Sequence, residues 1–274
     1  MTEPFNLTDE QISCFREKGF LQVDFSLDEK LLDTIVEKVN PLYDQQQLQQ
    51  RVNGTRAQDA WKQVDEVRLL ATDARIFAAL EQLLGRKPLP FQTLNFPMGT
   101  AQQAHSDTIH FNSIPKGYMV GVWVALEDTD DTNGPLLYYP GSHKLDEHSM
   151  KSFGFGPRRD NYPKYEQQIQ HIIEEQGLVV EYGLMKKGMA FIWHANLLHG
   201  GAPQKDLTRS RHSQVTHYYF EGCKYYTPLY SRFLRRQYRL PFWIPDTPDY
   251  ELPEDKPRFL RWYQRFLMNF KRTN

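Results

Sequence analysis

The chain has 274 residues, with 33 Lys+Arg against 34 Asp+Glu and a formal net charge of −1; this balance argues against a dedicated nucleic-acid binder, and the length suits one domain with a sizeable core. Its two cysteines, Cys14 and Cys223, lie far apart in sequence and read as free thiols of a reducing compartment. The opening MTEPFNLTDEQ is polar and no apolar run approaches the ~18 residues of a membrane span, so neither a signal peptide nor an integral membrane segment is expected and the protein reads as cytoplasmic.

From the N-terminus, residues 8–18 read as a helix, with Thr8 and Gln11 in capping-box spacing and Gly19 as its stop. Phe20 to Val23 reads as a short strand. A second helix is expected over about 28–45, with Leu32, Val36 and Val39 on one stripe, followed by a polar loop or frayed helix end from Gln45 to Gln50. A third covers about 74–85, carries Ile76, Leu80, Leu83 and Leu84, and is closed by Gly85. Short strands then follow at 88–97, 117–126, 136–139, 178–182, 188–193 and 213–220, with one helical insert near 165–176. Thr132-Asn133-Gly134-Pro135 and Pro140-Gly141 punctuate them as turns. Such a run of short strands between Gly/Pro turns predicts a jelly roll or barrel. The plan is mainly β with flanking helices in a single domain: helical support over 1–86, a β core over 87–222, and an aromatic and basic C-terminal extension over 223–274.

His105-Ser106-Asp107 carries the chemistry. Two residues apart on a strand, His105 and Asp107 would share a face and could reach one metal ion. A histidine from a distant strand would complete a 2-His-1-carboxylate face, the ligand set of non-haem Fe(II) and O2 chemistry. His199 and His194 both compete for that place, and a buried, satisfied histidine is the commoner outcome for His194 at the end of Met189 to Trp193. An arginine shortly downstream offers a planar fork for a carboxylate. 2-Oxoglutarate has the matching shape, one chelating end and one carboxylate end. Arg209, Arg211 and Ser213 have the same parity, so spacing alone leaves both arginines open as the anchor. A Zn hydrolase fits less well, because H-E-x-x-H is absent and Zn sites draw more on His and Cys. His110, Asn112 and Tyr118 follow the H-x-D segment as candidate substrate or lid contacts, against the plainer reading of a solvated loop. His143, in a turn after Pro140-Gly141-Ser142, reads as a structural brace.

The stretch HSDTIHFNSIPKGYMVGVWVALEDTDDTNGPLLYYPGSHK resembles the phytanoyl-CoA dioxygenase family, as do GMAFIWHANLLHGG, RSRHSQVTHYYF and the opening LTDEQISCFREKGFLQV. The resemblance runs over most of residues 7–220. It implies a double-stranded β-helix (cupin-like jelly roll), with Fe(II) and the co-substrates 2-oxoglutarate and O2, hydroxylating an aliphatic carbon of a small molecule and releasing succinate and CO2. It also implies His105, Asp107 and His199 as iron ligands. Counting back from His217 in the family's pattern selects Arg211 for the 2-oxoglutarate carboxylate, with Trp123 and Gln92 resembling residues of the co-substrate pocket. The chain departs from the pattern at Gly201, where many members carry a small hydroxyl residue; Ser213 is the candidate to supply that hydroxyl instead. Family relatives that halogenate lack the carboxylate, so Asp107 favours hydroxylation. Desaturation, cyclisation or epimerisation at the same iron, or a non-catalytic binding protein, are the alternatives.

Beyond the resemblance, Pro257 to Asn274 reads as an amphipathic helix with Phe259, Leu260, Tyr263, Phe266, Leu267 and Phe270 on its apolar stripe and Arg258, Arg261, Arg265, Lys271 and Arg272 making it basic. Docking on the β core is the plain expectation; a lid, an anion cradle and a peripheral membrane contact are the sharper ones. The local positive charge favours an anionic substrate.

Overall fold

The computed structural model describes residues 5–232 and 235–246; the chain divides into two compact units, 1–244 and 245–274, and the fold below is that of the first. The expected helix over 257–274 lies outside the described residues.

Local chemistry sets the helix ends. Helix α1 (Asp9–Lys18) opens with a complete capping box, Thr8 Oγ1 accepting from Gln11 N–H and Gln11 Oε1 accepting from Thr8 N–H, and Gly19 closes it at φ 82°. Helix α2 (Glu29–Val39) stops well short of 45, because Pro41 has no N–H to continue the ladder and the chain turns through Asn40–Leu42. A short α3 (Gln45–Gln49) follows, capped by Asp44. Helix α4 (Asp65–Ala71) was not expected; its few turns carry too short an apolar pattern to stand out, yet it buries Val67, Leu70 and Ala71. Helix α5 (Ala74–Leu84) lies where its stripe predicts, between Asp73 and Gly85. The helical insert is α6 (Tyr162–Glu175).

The strands in chain order are β1 (Phe20–Asp24), β2 (Ala57–Gln58), β3 (Pro88–Phe96), β4 (Asn112–Ile114), β5 (Met119–Ala125), β6 (Leu136–Tyr138), β7 (Glu181–Gly183), β8 (Met189–His194), β9 (His199–Gly201), β10 (Ser213–Phe220) and β11 (Lys224–Tyr226). Strand β7 begins later than the expected 178–182, since Val179 is exposed and makes no core contact that would hold it in a sheet. A six-stranded antiparallel sheet runs β1-β8-β5-β10-β3-β2, a three-stranded sheet runs β7-β6-β9, and β4 pairs with β11.

Alternation divides the large sheet into two faces. Val120, Val122 and Val124 of β5, with Ala190 and Ile192 of β8, pack against Leu32 and Ile35 of α2 and Ile76 and Leu80 of α5. Trp123, Phe191, Trp193 and Val215 pack on the other side with Tyr138 and Leu136 of the small sheet. Every residue of β5 is therefore buried, which explains the unbroken apolar run in the sequence. The helical layer is firmly held: truncating Leu32 or Ile35 to alanine would cost about 2–5 kcal/mol. The two facing antiparallel sheets form the expected double-stranded β-helix core, and among the described residues no helix is long and apolar enough to cross a membrane.

Candidate active site

His105 and His199 are paired directly, each backbone N–H donating to the other's carbonyl at 2.9 and 3.0 Å. This short bridge replaces the continuous strand expected for His105 and Asp107. After His105 the chain leaves the ladder: Ser106 caps a tight 3-10 turn, Asp107–Ile109, by accepting from Thr108 N–H, and Ser106 Oγ donates to the Ala195 carbonyl at 3.1 Å. Turn geometry, rather than strand alternation alone, thus aims Asp107 at the histidines. Asn196 ties the turn to the Pro140–Leu145 loop, donating to the carbonyls of His143 and Leu145. His143 lies outside the cluster, with its Nε2 3.1 Å from the Arg16 carbonyl oxygen.

One ligand atom from each of His105, Asp107 and His199 falls within 4.8 Å of the others, and all three residues are buried. Both rings are oriented from behind. His105 Nδ1 lies 3.0 Å from the Gln103 carbonyl and His199 Nδ1 2.9 Å from the Leu197 carbonyl. A carbonyl can only accept, so Nδ1 is the protonated nitrogen in each ring and Nε2 presents a lone pair inward. The carboxylate is oriented too: Trp193 Nε1 donates to Asp107 Oδ2 at 2.9 Å. A side chain at Gly121 would forbid this, because a Cβ there would stand 2.1 Å from the Trp193 ring. His217 Nε2 approaches Asp107 Oδ2 at 3.7 Å, placed at the end of the regular β10–β3 register, just before a bulge.

Electrostatics follow the same arrangement. Burial alone would raise the Asp107 carboxyl, but His199, His105 and His217 around it hold it well below the usual carboxylate range. Burial pushes His199 down to about 4. His105 moves the other way, because Asp107 and the Gln103 carbonyl outweigh its burial.

Beside the cluster lies a cavity of about 260 Å³ lined by His105, Asp107 and His199 together with Gln92, Trp123 and Arg211. Arg211 is 2% exposed, and burial lowers its pKa to about 10. Its Nη1 contacts Ser213 Oγ at 2.9 Å and its Nη2 the Met98 carbonyl at 3.3 Å, but no carboxylate among the described residues pairs with it. Its Nε and the indole N–H of Trp123 are buried and meet no acceptor among the described residues. Arg209, by contrast, is partly exposed and spends its guanidinium on Asp130 and Thr132. The structure thereby separates two arginines that parity could not. His194 also stands apart: its Nδ1 accepts from Asn196 N–H.

Two imidazole lone pairs and one carboxylate fit a divalent first-row metal with positions left open, and the orphaned donors of Arg211 and Trp123 fit a carboxylate-bearing chelator next to it. Of the other expected residues, Gln92 lines the cavity opposite His217 in register, and Ser213 is fully buried behind Arg211. His110 lines the cavity, with its Nε2 3.2 Å from the Tyr162 hydroxyl, and burial lowers its pKa to about 4. Asn112 is turned to Glu147, and Tyr118 carries Arg86 over its ring; neither lines the cavity. Sequence reasoning missed Trp193, Phe111, Gln102, Thr100 and Arg56 as cavity residues and used His217 only for counting. Parity could have found Trp193 and His217, which alternate with known inward positions. Nothing periodic marks Thr100 or Gln102, which sit on a loop.

Comparisons with known proteins agree with this geometry. The family model described as Phytanoyl-CoA dioxygenase (PhyH) matches residues 15–213. Ectoine dioxygenase of Halomonas elongata is 30% identical over 151 residues, 48% of this chain and 43% of that protein. Peroxisomal phytanoyl-CoA dioxygenase of Rattus norvegicus is 29% identical over 128 residues, 44% of this chain and 34% of that one. The chain thus spans about half the length, or less, of the curated relatives it matches. Among solved structures, the α-ketoglutarate-dependent carbocyclase SnoK from nogalamycin biosynthesis superposes with a TM-score of 0.60 at 18% identity, over 80% of this chain and 87% of that one. EctD from S. alaskensis with 2-oxoglutarate and 5-hydroxyectoine gives 0.59 at 18% identity, over 84% and 82%. At these identities the superpositions establish a shared fold.

Proposed function

The chain belongs to the phytanoyl-CoA dioxygenase (PhyH) family, and from that premise we propose that it is an Fe(II)- and 2-oxoglutarate-dependent dioxygenase hydroxylating an aliphatic carbon of a small metabolite. The observation that carries the reading is the convergence of His105, Asp107 and His199 on the same cavity as a buried arginine that has no carboxylate partner among the described residues. In this reading the two Nε2 atoms and the Asp107 carboxylate would hold the iron, and Arg211, whose guanidinium lies 5.5 Å from the Trp123 ring, would hold the far carboxylate of 2-oxoglutarate. Iron, when bound, supplies the activation of O2 that turns substrate C–H, O2 and 2-oxoglutarate into C–OH, succinate and CO2. The chain's own residues bind, orient and exclude water. Apolar walls from Phe96, Phe111, Leu136 and Val215 keep the reacting space dry, and the Asp107 carboxylate stays ionised in its ring of imidazoles.

Arg56 lines the cavity while remaining exposed, and it forms no hydrogen bond or ion pair among the described residues. That unspent charge at the opening supports an anionic substrate. The same site would serve ring closure or epimerisation, reactions named for the structural neighbours SnoK and SnoN. Anaerobic addition of Fe(II) and 2-oxoglutarate is expected to give the weak visible absorption of the chelate, lost in Asp107→Ala. A wild-type protein that takes up neither would sink the reading. Product mass then separates the outcomes: a gain of one oxygen for hydroxylation, a loss of two hydrogens for desaturation or ring closure, no change for epimerisation.

A further inference from the structure

Gly201 lacks the side chain that would face the metal cluster, and another segment fills its place. Alternation along β9 sets position 201 on the same face as His199. A Cβ at Gly201 would lie 2.3 Å from the hydroxyl oxygen of Thr100. Thr100 Oγ1 therefore occupies the volume that a side-chain hydroxyl at 201 would use. The loop carrying it is fixed by its backbone: Gly201 N–H donates to the Gln102 carbonyl at 2.9 Å, and a Cβ on Gly200 would stand 2.4 Å from that same oxygen. Both glycines are thus needed for the loop to approach this closely. The same segment runs along Arg211, whose backbone N–H donates to the Pro97 carbonyl at 3.0 Å and whose Nη2 donates to the Met98 carbonyl. Thr100 lines the cavity, half-buried, and its hydroxyl meets no hydrogen-bond partner among the described residues. Ser213 is fully buried, accepts from Arg211 Nη1 and is not part of the cavity wall. A hydroxyl with an unspent hydrogen in the same wall as a guanidinium that has no carboxylate partner among the described residues suits an anionic oxygen.

We propose that Thr100 is a co-substrate-binding residue: its hydroxyl donates to a carboxylate oxygen of 2-oxoglutarate in the cavity it shares with Arg211, replacing a hydroxyl that Gly201 cannot supply. The inference rests on the 2-oxoglutarate reading above. The test is the 2-oxoglutarate dissociation constant, measured by anaerobic calorimetry on the full chain loaded with Fe(II). Thr100→Val keeps the shape and removes the donor, and is expected to weaken binding roughly ten- to hundredfold, the usual cost of a lost hydrogen bond to a charged group. Thr100→Ser restores the donor and should bind within about threefold of wild type. Gly201→Ser alone should weaken binding by forcing Thr100 aside, while Gly201→Ser combined with Thr100→Gly should bind more tightly than Thr100→Gly alone. Fe(II) binding and the thermal midpoint without 2-oxoglutarate should be the same in Thr100→Val as in wild type, which separates the effect from misfolding. Equal affinity of Thr100→Val and wild type would overturn the proposal, and so would equal loss in Thr100→Val and Thr100→Ser. Wild-type protein that binds Fe(II) but not 2-oxoglutarate would instead bring down the underlying reading, and this inference with it.

Discussion

Trp193→Phe removes one N–H from the His105–Asp107–His199 cluster and leaves most of the ring in place. Trp193 Nε1 donates to Asp107 Oδ2 at 2.9 Å, with Trp193 only 3% and Asp107 5% exposed, so water cannot readily replace the lost donor. A hydrogen bond to a charged group contributes about 1.5–3 kcal/mol. Loss of an oriented partner behind a metal ligand typically costs about 10–100-fold in metal affinity, or ~1.4–2.7 kcal/mol, so the two estimates agree. The ring also packs 4.8 Å from His199 and 6.3 Å from Phe191, contacts that phenylalanine can largely keep. The expected result is therefore Fe(II) affinity lowered by about one to two orders of magnitude, with the fold retained. Anaerobic titration against a competing chelator measures it, with the thermal midpoint of the metal-free protein as control. Affinity within about twofold of wild type would refute the reasoning, because an oriented, ligating Asp107 cannot be indifferent to the loss of this indole donor.

The two arginines should separate sharply. Arg211→Ala removes a buried charge and should weaken 2-oxoglutarate binding by about 2–5 kcal/mol, whereas Arg209→Ala, whose guanidinium serves Asp130 and Thr132 at the surface, should change it little; calorimetry decides, and the reverse order would move the anchor. His194 should make the fold acid-sensitive. Burial lowers its pKa to about 4, and its Nδ1 accepts from Asn196 N–H, so the native state holds it neutral. The unfolded chain, with a histidine pKa near ~6.5, binds that proton first as pH falls, so stability is full above ~6.5 and declines towards 4 by up to ~1.4 kcal/mol per pH unit. Denaturant midpoints measured stepwise over that window should show a shallower fall for His194→Gln. The slope should not vanish, because His110 and His199 are shifted in the same direction.

Local signals were legible along the chain. The Thr8/Gln11 capping box, the Gly19 and Gly85 stops, the stripe of α5 and the apolar run of β5 depend on residues within a turn or a strand of each other, so spacing alone exposes them. Helix α4 was not legible, being too short to show a period, whereas the true end of α2 was written in Pro41 and was overlooked in favour of the longer apolar stripe. The motif order, read with the family resemblance, also picked out His105, Asp107 and His199, which do come together.

What the sequence by itself determined was therefore the class of fold and the residue types brought to the His105–Asp107–His199 cluster. The tertiary structure decided which of the equivalent candidates face it. Arg209 and Arg211 share a parity, but only Arg211 runs beside the Pro97–Met98 backbone and is buried. Thr100 and Gly201 lie on segments far apart in the chain, yet the hydroxyl of one fills the Cβ position of the other. Trp193 reaches Asp107 because Gly121 on the neighbouring strand leaves room for its ring. Each of these is an exclusion of one atom by another across a distance in sequence, and periodicity records only the separation of residues along one segment.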